Sequence, residues 1–341
     1  MDFSNAENFT VEKARIMVVG AGGGGNNTVN ALKGLGLKGA TTVAINTDAK
    51  HLAMVKADHK ILIGKSLTKG LGAGGYPDVG KNAALESKND IRQSLADVDL
   101  VFVTCGLGGG TGTGSAPVVA RIAKEMGAIV IAVVTMPFKL EGARINKALE
   151  GLQQLRESSN TVIVIENQRL LDMAGNQPIR QAFAIADGLI ATMIKGITET
   201  ISEPSLVNLD YADVKAVMNS GGVASIGVGE SEGDRRAEEA VSRALNHPLL
   251  DVDISGGTGA LIQIIGGPDM KLEEISKVGE AVSSQLSADA PVMWGARVLP
   301  EYAHKLQVIT IVTGVKSPFI MGPSATKAQK VHSELGLEML H

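Results

Sequence analysis

The sequence predicts an α/β protein: an N-terminal Rossmann-like parallel sheet, a long central helix and a smaller C-terminal α/β or α+β unit. Three features predict it. Short apolar runs rich in Val and Ile alternate with helical patterns from residue 14 to residue 165, as in a parallel sheet covered on both faces. The chain carries 41 glycines in 341 residues, above the usual ~7%. They fall in bursts after the apolar runs, at the strand ends where such sheets bind ligands. Residues 177–203 hold apolar side chains at helical spacing, with Pro178 at the start and Pro204 at the end.

Each element follows from its local pattern. Residues 14–20 (ARIMVVG), 41–46, 60–63, 97–104, 128–135 and 161–165 read as buried strands, with few charges inside and a turn signal after each. Residues 26–35, 79–95, 117–126 and 144–158 read as the helices between them. Phe183, Ile185, Ala186, Leu189, Ile190, Met193, Ile194 and Ile197 make 177–203 a helix apolar on most sides, a connector packed between two units. Beyond it, 223–229, 259–266, 291–298 and 307–315 read as strands, and 232–246 and 271–286 as helices. The expected organisation is an extension at 1–13, a first domain at 14–176, the connecting helix at 177–203, a second domain at 204–316 and a polar tail at 317–341, with a short terminal helix.

Composition excludes several classes. Net charge is −4, aromatics are 3%, and no Lys/Arg block stands out, which disfavours nucleic-acid binding. The single cysteine, Cys105, cannot form an intrachain disulfide and fits a reducing compartment. The six histidines are scattered, without zinc-site spacing. No apolar run reaches membrane-spanning length and the N-terminal stretch is polar. These features predict a soluble, cytoplasmic protein without direct membrane insertion.

The chemistry lies in the glycine bursts. Gly20-Ala-Gly22-Gly23-Gly24-Gly25-Asn26-Asn27 follows a strand and opens a helix, fitting GxGxxG. Backbone N–H groups can approach a phosphate there, and the helix N-terminus favours an anion. Asp48 ends the next strand, where a ribose-binding acid would sit. By itself this fits an NAD(P)-dependent oxidoreductase, or an unliganded turn, equally well. The second burst, Gly106 to Pro117, also joins a strand to a helix, with Pro117 in that helix's first turn and Thr111 and Thr113 adding hydroxyl donors. Two such loops on one sheet suit a polyphosphate. The third, Gly70-Leu-Gly72-Ala73-Gly74-Gly75-Tyr76-Pro77, can close over a terminal phosphate or be a plain surface loop. Gly75 to Lys81 nearly fits a P-loop, but Asn82 replaces the required Ser/Thr. Asp210 and Asp213 lie three apart at a helix start. Both can face one way as a base or beneath a metal-bound water, and both also suit ordinary helix capping.

Together these residues resemble the tubulin/FtsZ family of self-assembling GTPases. The resemblance rests on the loop GGGTGTG at 108–114 with AINTDA, LGAGGYP, VVTMPF and NLDYADVKAVM in family order, and spans about residues 14–316. It implies that Gly22 to Asn27 (Gly22, Gly23, Gly24, Gly25, Asn26, Asn27) bind the phosphates of GTP or GDP. Gly108, Gly109, Gly110, Thr111, Gly112, Thr113 and Gly114 would share that task. Ala73, Gly74 and Gly75 would approach the γ-phosphate. Asn46 and Asp48 would lie near the phosphates and Mg²⁺, itself held mainly by phosphate and water. Glu141 and Arg144 would hold the ribose. Asn167 and Asp187 would read guanine, whose N1–H and N2–H donors suit a carboxylate, with Phe183 on the ring. Asn208, Asp210 and Asp213 would act on the nucleotide of the next subunit in a head-to-tail filament. The resemblance further implies a mid-cell division ring, an archaeal-type C-terminal end, and a membrane-anchoring adaptor engaging the tail. Three departures stand out: EGAR at 141–144 is one residue short of the family's EGxxR, Tyr76 replaces a common Asn, and Glu166 replaces a common Pro. Two other functions stay open at the level of residues, an oxidoreductase and a nucleotide-binding scaffold without turnover.

Overall fold

The computed structural model describes residues 14–203, 205–207, 209–219, 222–246 and 253–316. The expected extension at 1–13, the tail at 317–341 with its short helix, and Asn208 lie outside the described residues. The chain opens with β1 (Ile16–Ala21), which passes directly into α1 (Gly22–Gly34), then β2 (Ala40–Asn46), α2 (Ala49–Met54), β3 (His59–Leu62) and the single turn α3 (Lys65–Thr68). Next come α4 (Pro77–Glu86), α5 (Lys88–Ser94), β4 (Leu100–Gly106), α6 (Thr111–Glu125), β5 (Ile129–Met136), α7 (Ala143–Ser158), β6 (Thr161–Glu166) and α8 (Arg169–Ala174). The long α9 (Ile179–Ser202) precedes α10 (Tyr211–Met218), β7 (Val223–Glu232), α11 (Arg236–Leu245), β8 (Gly259–Gly266), α12 (Leu272–Ser283), β9 (Val292–Val298) and β10 (Lys305–Thr313).

The strands form one ten-stranded sheet in the order β3-β2-β1-β4-β5-β6-β7-β10-β8-β9. The first six are all parallel, in the doubly wound arrangement. β10 runs antiparallel to both β7 and β8, and β9 returns parallel to β8. The halves join where β6 meets β7, through Val162↔Val223 and Ile163↔Ala224 alone.

Side chains alternate between the two faces of each strand, and both faces are covered. Met17, Val19, Val101, Val103, Val130 and Ala132 pack toward α4, α5, α6 and α7. Ile16, Val18, Leu100, Phe102 and Ile131 pack on the other face with Ile190, Ile194 and Ile197 of α9. That second cluster continues into Ile226, Leu261, Ile309 and Ile311 of the C-terminal strands. α9 therefore covers one face of both halves, which explains its apolar surface. Its end follows from Pro204, which pushes Glu203 into extended geometry (φ −105°, ψ 147°).

Several boundaries differ from the sequence expectation, each for a tertiary reason. α1 and α6 begin inside the glycine bursts, so Pro117 lies within α6 rather than in its first turn. The expected helix over 79–95 breaks at Ser87, whose hydroxyl accepts the Gly64 N–H (3.2 Å). The expected helix over 232–246 starts at Arg236, because β7 stays paired with β10 as far as Glu232.

Candidate functional site

The strand order reverses between β1 and β4, where a doubly wound sheet opens its ligand crevice. The α1 and α6 N-termini stand side by side there. Gly22 has φ +70°, and a Cβ on it would come within 2.6 Å of the Gly112 N. Only glycine lets the two loops touch. A Cβ at Gly23 or Gly109 would meet nothing within 4 Å, so these two face open space. Neither helix has a side-chain N-cap, which leaves first-turn N–H groups for an anion.

The third loop closes against the second. Thr47 O accepts the Gly72 N–H (3.1 Å), Gly70 O accepts the Ala49 N–H (3.0 Å), and Ala73 O accepts the Tyr76 N–H (3.0 Å). A Cβ at Gly110 would lie 2.8 Å from the Tyr76 N and 2.9 Å from the Ala73 Cβ. All three bursts thus meet at the carboxyl ends of β1, β2 and β4. Some of the expected hydroxyl and amide groups are engaged within the fold. Thr113 is buried and its Oγ1 accepts the Gly108 N–H (2.9 Å). The Thr111 hydroxyl lies 2.7 Å from that of Thr47. Asn46 lies 3.2 Å from the His51 ring and accepts the Asp48 N–H (3.1 Å), while Asp48 caps α2 through the His51 N–H (3.0 Å).

Beyond the glycine loops the crevice is lined by buried polar groups and two rings. Asn26 is fully buried and neither atom of its amide has a partner; Asn27 beside it is exposed. The buried Oδ1 of Asn167, just after β6, also has no partner. Unpaired buried amides cost free energy, so both invite a ligand. Asp187, half-buried on α9, accepts from the Thr28 hydroxyl (3.3 Å), which Thr104 contacts in turn (3.4 Å). Burial pushes the Asp187 carboxyl up to about 6, opposed by the Thr28 hydroxyl. Phe183 stays exposed, and Phe138 meets it edge to face, centroids 5.7 Å apart at 73°. Phe138 and Thr28 are crevice residues to which no sequence motif assigns a role of their own. Phe138 ends VVTMPF just after β5, on the sheet edge where ligands sit, and that placement was the available signal. On the rim, Glu141 accepts the Phe138 N–H (2.9 Å) and pairs with Arg144. A Cβ at Gly108 would lie 2.9 Å from the Arg144 carbonyl oxygen. The short EGAR segment therefore keeps Arg144 at the crevice, its charge engaged by Glu141.

Asp210 and Asp213 lie elsewhere. They form a reciprocal N-terminal cap on α10, Asp210 accepting the Asp213 N–H (2.8 Å) and Asp213 the Asp210 N–H (3.2 Å). Leu209 is buried in the core, and Val207 exchanges backbone bonds with Ala296 (3.2 and 3.0 Å). The Tyr211 hydroxyl donates to the Asp99 carbonyl (3.0 Å). Asp99 precedes β4, whereas the signature loop follows it. The seven residues of β4, at ~3.3 Å each, put these carboxylates on the opposite sheet edge from the crevice. Among the described residues, no three His, Cys, Asp or Glu side chains gather as a metal site.

Family comparisons agree with this geometry. A model described as Tubulin/FtsZ family, GTPase domain, matches residues 15–175, and one described as FtsZ family, C-terminal domain, matches 222–316. The chain is 55% identical to Cell division protein FtsZ 2 of Methanocaldococcus jannaschii over 96% of its length and 86% of the relative's. It is 54% identical to Cell division protein FtsZ 2 of Halobacterium salinarum over 94% of this chain and 82% of that one. A solved structure titled FtsZ dimer, empty (M. jannaschii), superposes with a TM-score of 0.85 at 53% identity, covering 89% of each chain.

Proposed function

The chain belongs to the tubulin/FtsZ family, and from that premise we propose that it binds GTP, hydrolyses it to GDP and phosphate, and polymerises head-to-tail into the filaments of a cell-division ring. The separation of crevice and carboxylates carries this reading. Glycine loops that suit a triphosphate lie at one sheet edge and Asp210 and Asp213 at the other. One chain cannot bring them together. A second copy stacked on the first can, and that heterologous contact propagates into a filament.

In this reading the phosphates lie on the α1 and α6 N-termini and the γ-phosphate meets Ala73, Gly74 and Gly75. The unpaired Asn167 Oδ1 and the Asp187 carboxylate face the guanine, which lies on the Phe183 ring, itself braced edge to face by Phe138, while Asn26 stays with the phosphates. Asp187 accepts the paired N1–H and N2–H donors of guanine, a pair that adenine lacks. Asp210, Asp213 and Asn208 of the next subunit orient the attacking water toward the γ-phosphate, and the glycine-loop N–H groups stabilise the charge that develops. Mg²⁺ would be held mainly by phosphate oxygens and water, near Asn46 and Asp48, and would neutralise phosphate charge. The paired loops and family membership favour this function over an oxidoreductase. No helix among the described residues is long and apolar enough to cross a membrane. A cytoplasmic, mid-cell location would therefore rest on an adaptor, which we assign to the tail at 317–341.

The test is GTPase activity against protein concentration, with light scattering in parallel. Activity per molecule should rise above a critical concentration, together with scattering. Constant specific activity without scattering would refute assembly-coupled hydrolysis. Assembly without turnover would leave the scaffold reading.

A further inference from the structure

We propose that Lys147 is a positioning residue that holds the third glycine loop in the form that receives the terminal phosphate. The inference rests on the nucleotide reading above and deepens it. Lys147 lies on α7, half-buried, and its Nζ donates to the Gly75 carbonyl oxygen at 2.7 Å. The same ammonium sits 5.4 Å from the centroid of the Tyr76 ring. Among the described residues, no other side chain bonds residues 73–76, and Lys147 pairs with no carboxylate. The cation is therefore aimed at the loop.

The bond matters because of the peptide it fixes. Gly74 and Gly75 have φ +59° and +76°. Consecutive glycines reorient their peptide planes at little cost. The Gly75–Tyr76 peptide is held at both ends, its N–H by the Ala73 carbonyl (3.0 Å) and its C=O by Lys147. The Ala73–Gly74 peptide is tied to the same turn through its C=O, so the Gly74–Gly75 peptide is bracketed by two anchored planes, and the Gly74 and Gly75 N–H groups, which have no partner among the described residues, are confined to a narrow range of directions. Successive N–H groups in a turn of this kind form an anion cradle. The loop also stacks on the signature loop: a Cβ at Gly110 would lie 3.1 Å from the Gly75 N. Lys147 thus links α7, which begins at the ribose rim, to the γ-phosphate side, and leaves an unneutralised positive charge beside the cradle. Tyr76, which departs from the family's common Asn, gains a reason: its ring attracts the cation.

Only the γ-phosphate reaches this loop, so GDP is an internal control. In the full-length chain, GTP and GDP dissociation constants are measured with Mg²⁺ for the wild type, Lys147→Met, Lys147→Gln and Lys147→Arg. Lys147→Met should weaken GTP relative to GDP about tenfold, the scale of a charge-assisted hydrogen bond, and raise KM more than it lowers kcat. Lys147→Arg should restore the GTP-to-GDP ratio to within about threefold. Equal weakening of both nucleotides would mean that Lys147 only supports α7, and an unchanged ratio would mean that it does not act on the loop. Either result overturns the proposal. If Lys147→Met does not fold, Lys147→Gln decides: a shifted ratio supports the proposal and an unchanged one refutes it. A wild type that binds neither nucleotide would overturn the GTPase reading itself.

Discussion

Replacing Asp187 by Asn tests the base-recognition site and the electrostatics of α9 in one experiment. The carboxyl is half-buried beside Thr28, and burial lifts it from its ordinary 3.8 to about 6. Above pH 6 the nucleotide-free protein carries this charge in a poorly solvated position. A displacement of that size corresponds to roughly 2–3 kcal/mol of lost stability. The sign is fixed: the neutral carboxyl favours the folded state. Its contribution is complete below pH 3.8 and is lost as pH rises through about 6. Asp187→Asn removes the charge at nearly constant shape and leaves an oxygen for the Thr28 hydroxyl. The nucleotide-free variant should therefore be more stable than the wild type by about 2–3 kcal/mol at pH 8, with the difference closing toward pH 4. Urea unfolding of both proteins at several pH values measures it, and the difference between them cancels all other titrating groups. Guanine recognition should change in the same variant. An amide cannot accept both guanine donors, so GTP affinity should fall by two orders of magnitude or more. Xanthosine triphosphate, with a carbonyl in place of the 2-amino group, should bind instead. A pH-independent stability difference would refute the buried-charge assignment. Unchanged GTP binding would refute the placement of the base.

Other perturbations probe the rest of the design. Asp213→Ala should keep GTP binding and lose turnover, measured by nucleotide affinity and steady-state hydrolysis; loss of the reciprocal cap should cost about 1 kcal/mol of stability. Gly114→Ala would drive a methyl into the Pro77 carbonyl where α6 meets α4. A cost of about 3 kcal/mol or more is expected by denaturant titration. In the C-terminal half, the buried Arg236 guanidinium bridges Asp269 (2.7 Å) and Glu274 (2.6 Å). Arg236→Met removes the buried cation shared by both carboxylates and should lower the unfolding midpoint at neutral pH. Because the His304 N–H and then the arginine hold the Asp269 carboxyl below its usual range, and the arginine does the same for Glu274, that gap should shrink as pH falls and they protonate. A gap constant down to pH 3 would mean that the arginine acts only through packing.

Much of the architecture was legible locally. Apolar β-branched runs between helical patterns give strands and helices wherever both sheet faces are covered, as for Met17 and Val18 on opposite sides of β1. Glycine bursts mark the loops because close backbone approach, such as Gly22 to Gly112, tolerates no other residue. The partners of individual polar groups were not legible. Thr113 and Asn46 have the residue types of ligand contacts, yet their side chains are engaged by Gly108 and by Asp48 and His51. Phe138 and Phe183 are far apart in sequence and meet only because β5 ends beside the start of α9.

The sequence by itself determined the element types, the three phosphate-sized loops and the family, because these depend on periodicity, turn chemistry and motif order. Only the tertiary structure decided that the two halves share one sheet, joined by two residue pairs between β6 and β7. Only it decided that Asp210 and Asp213 lie a strand's length from the glycine loops, anchored through Tyr211 to the far end of β4. Both are long-range pairings set by how α9 and its flanking strands pack, and local sequence patterns carry no record of such distances.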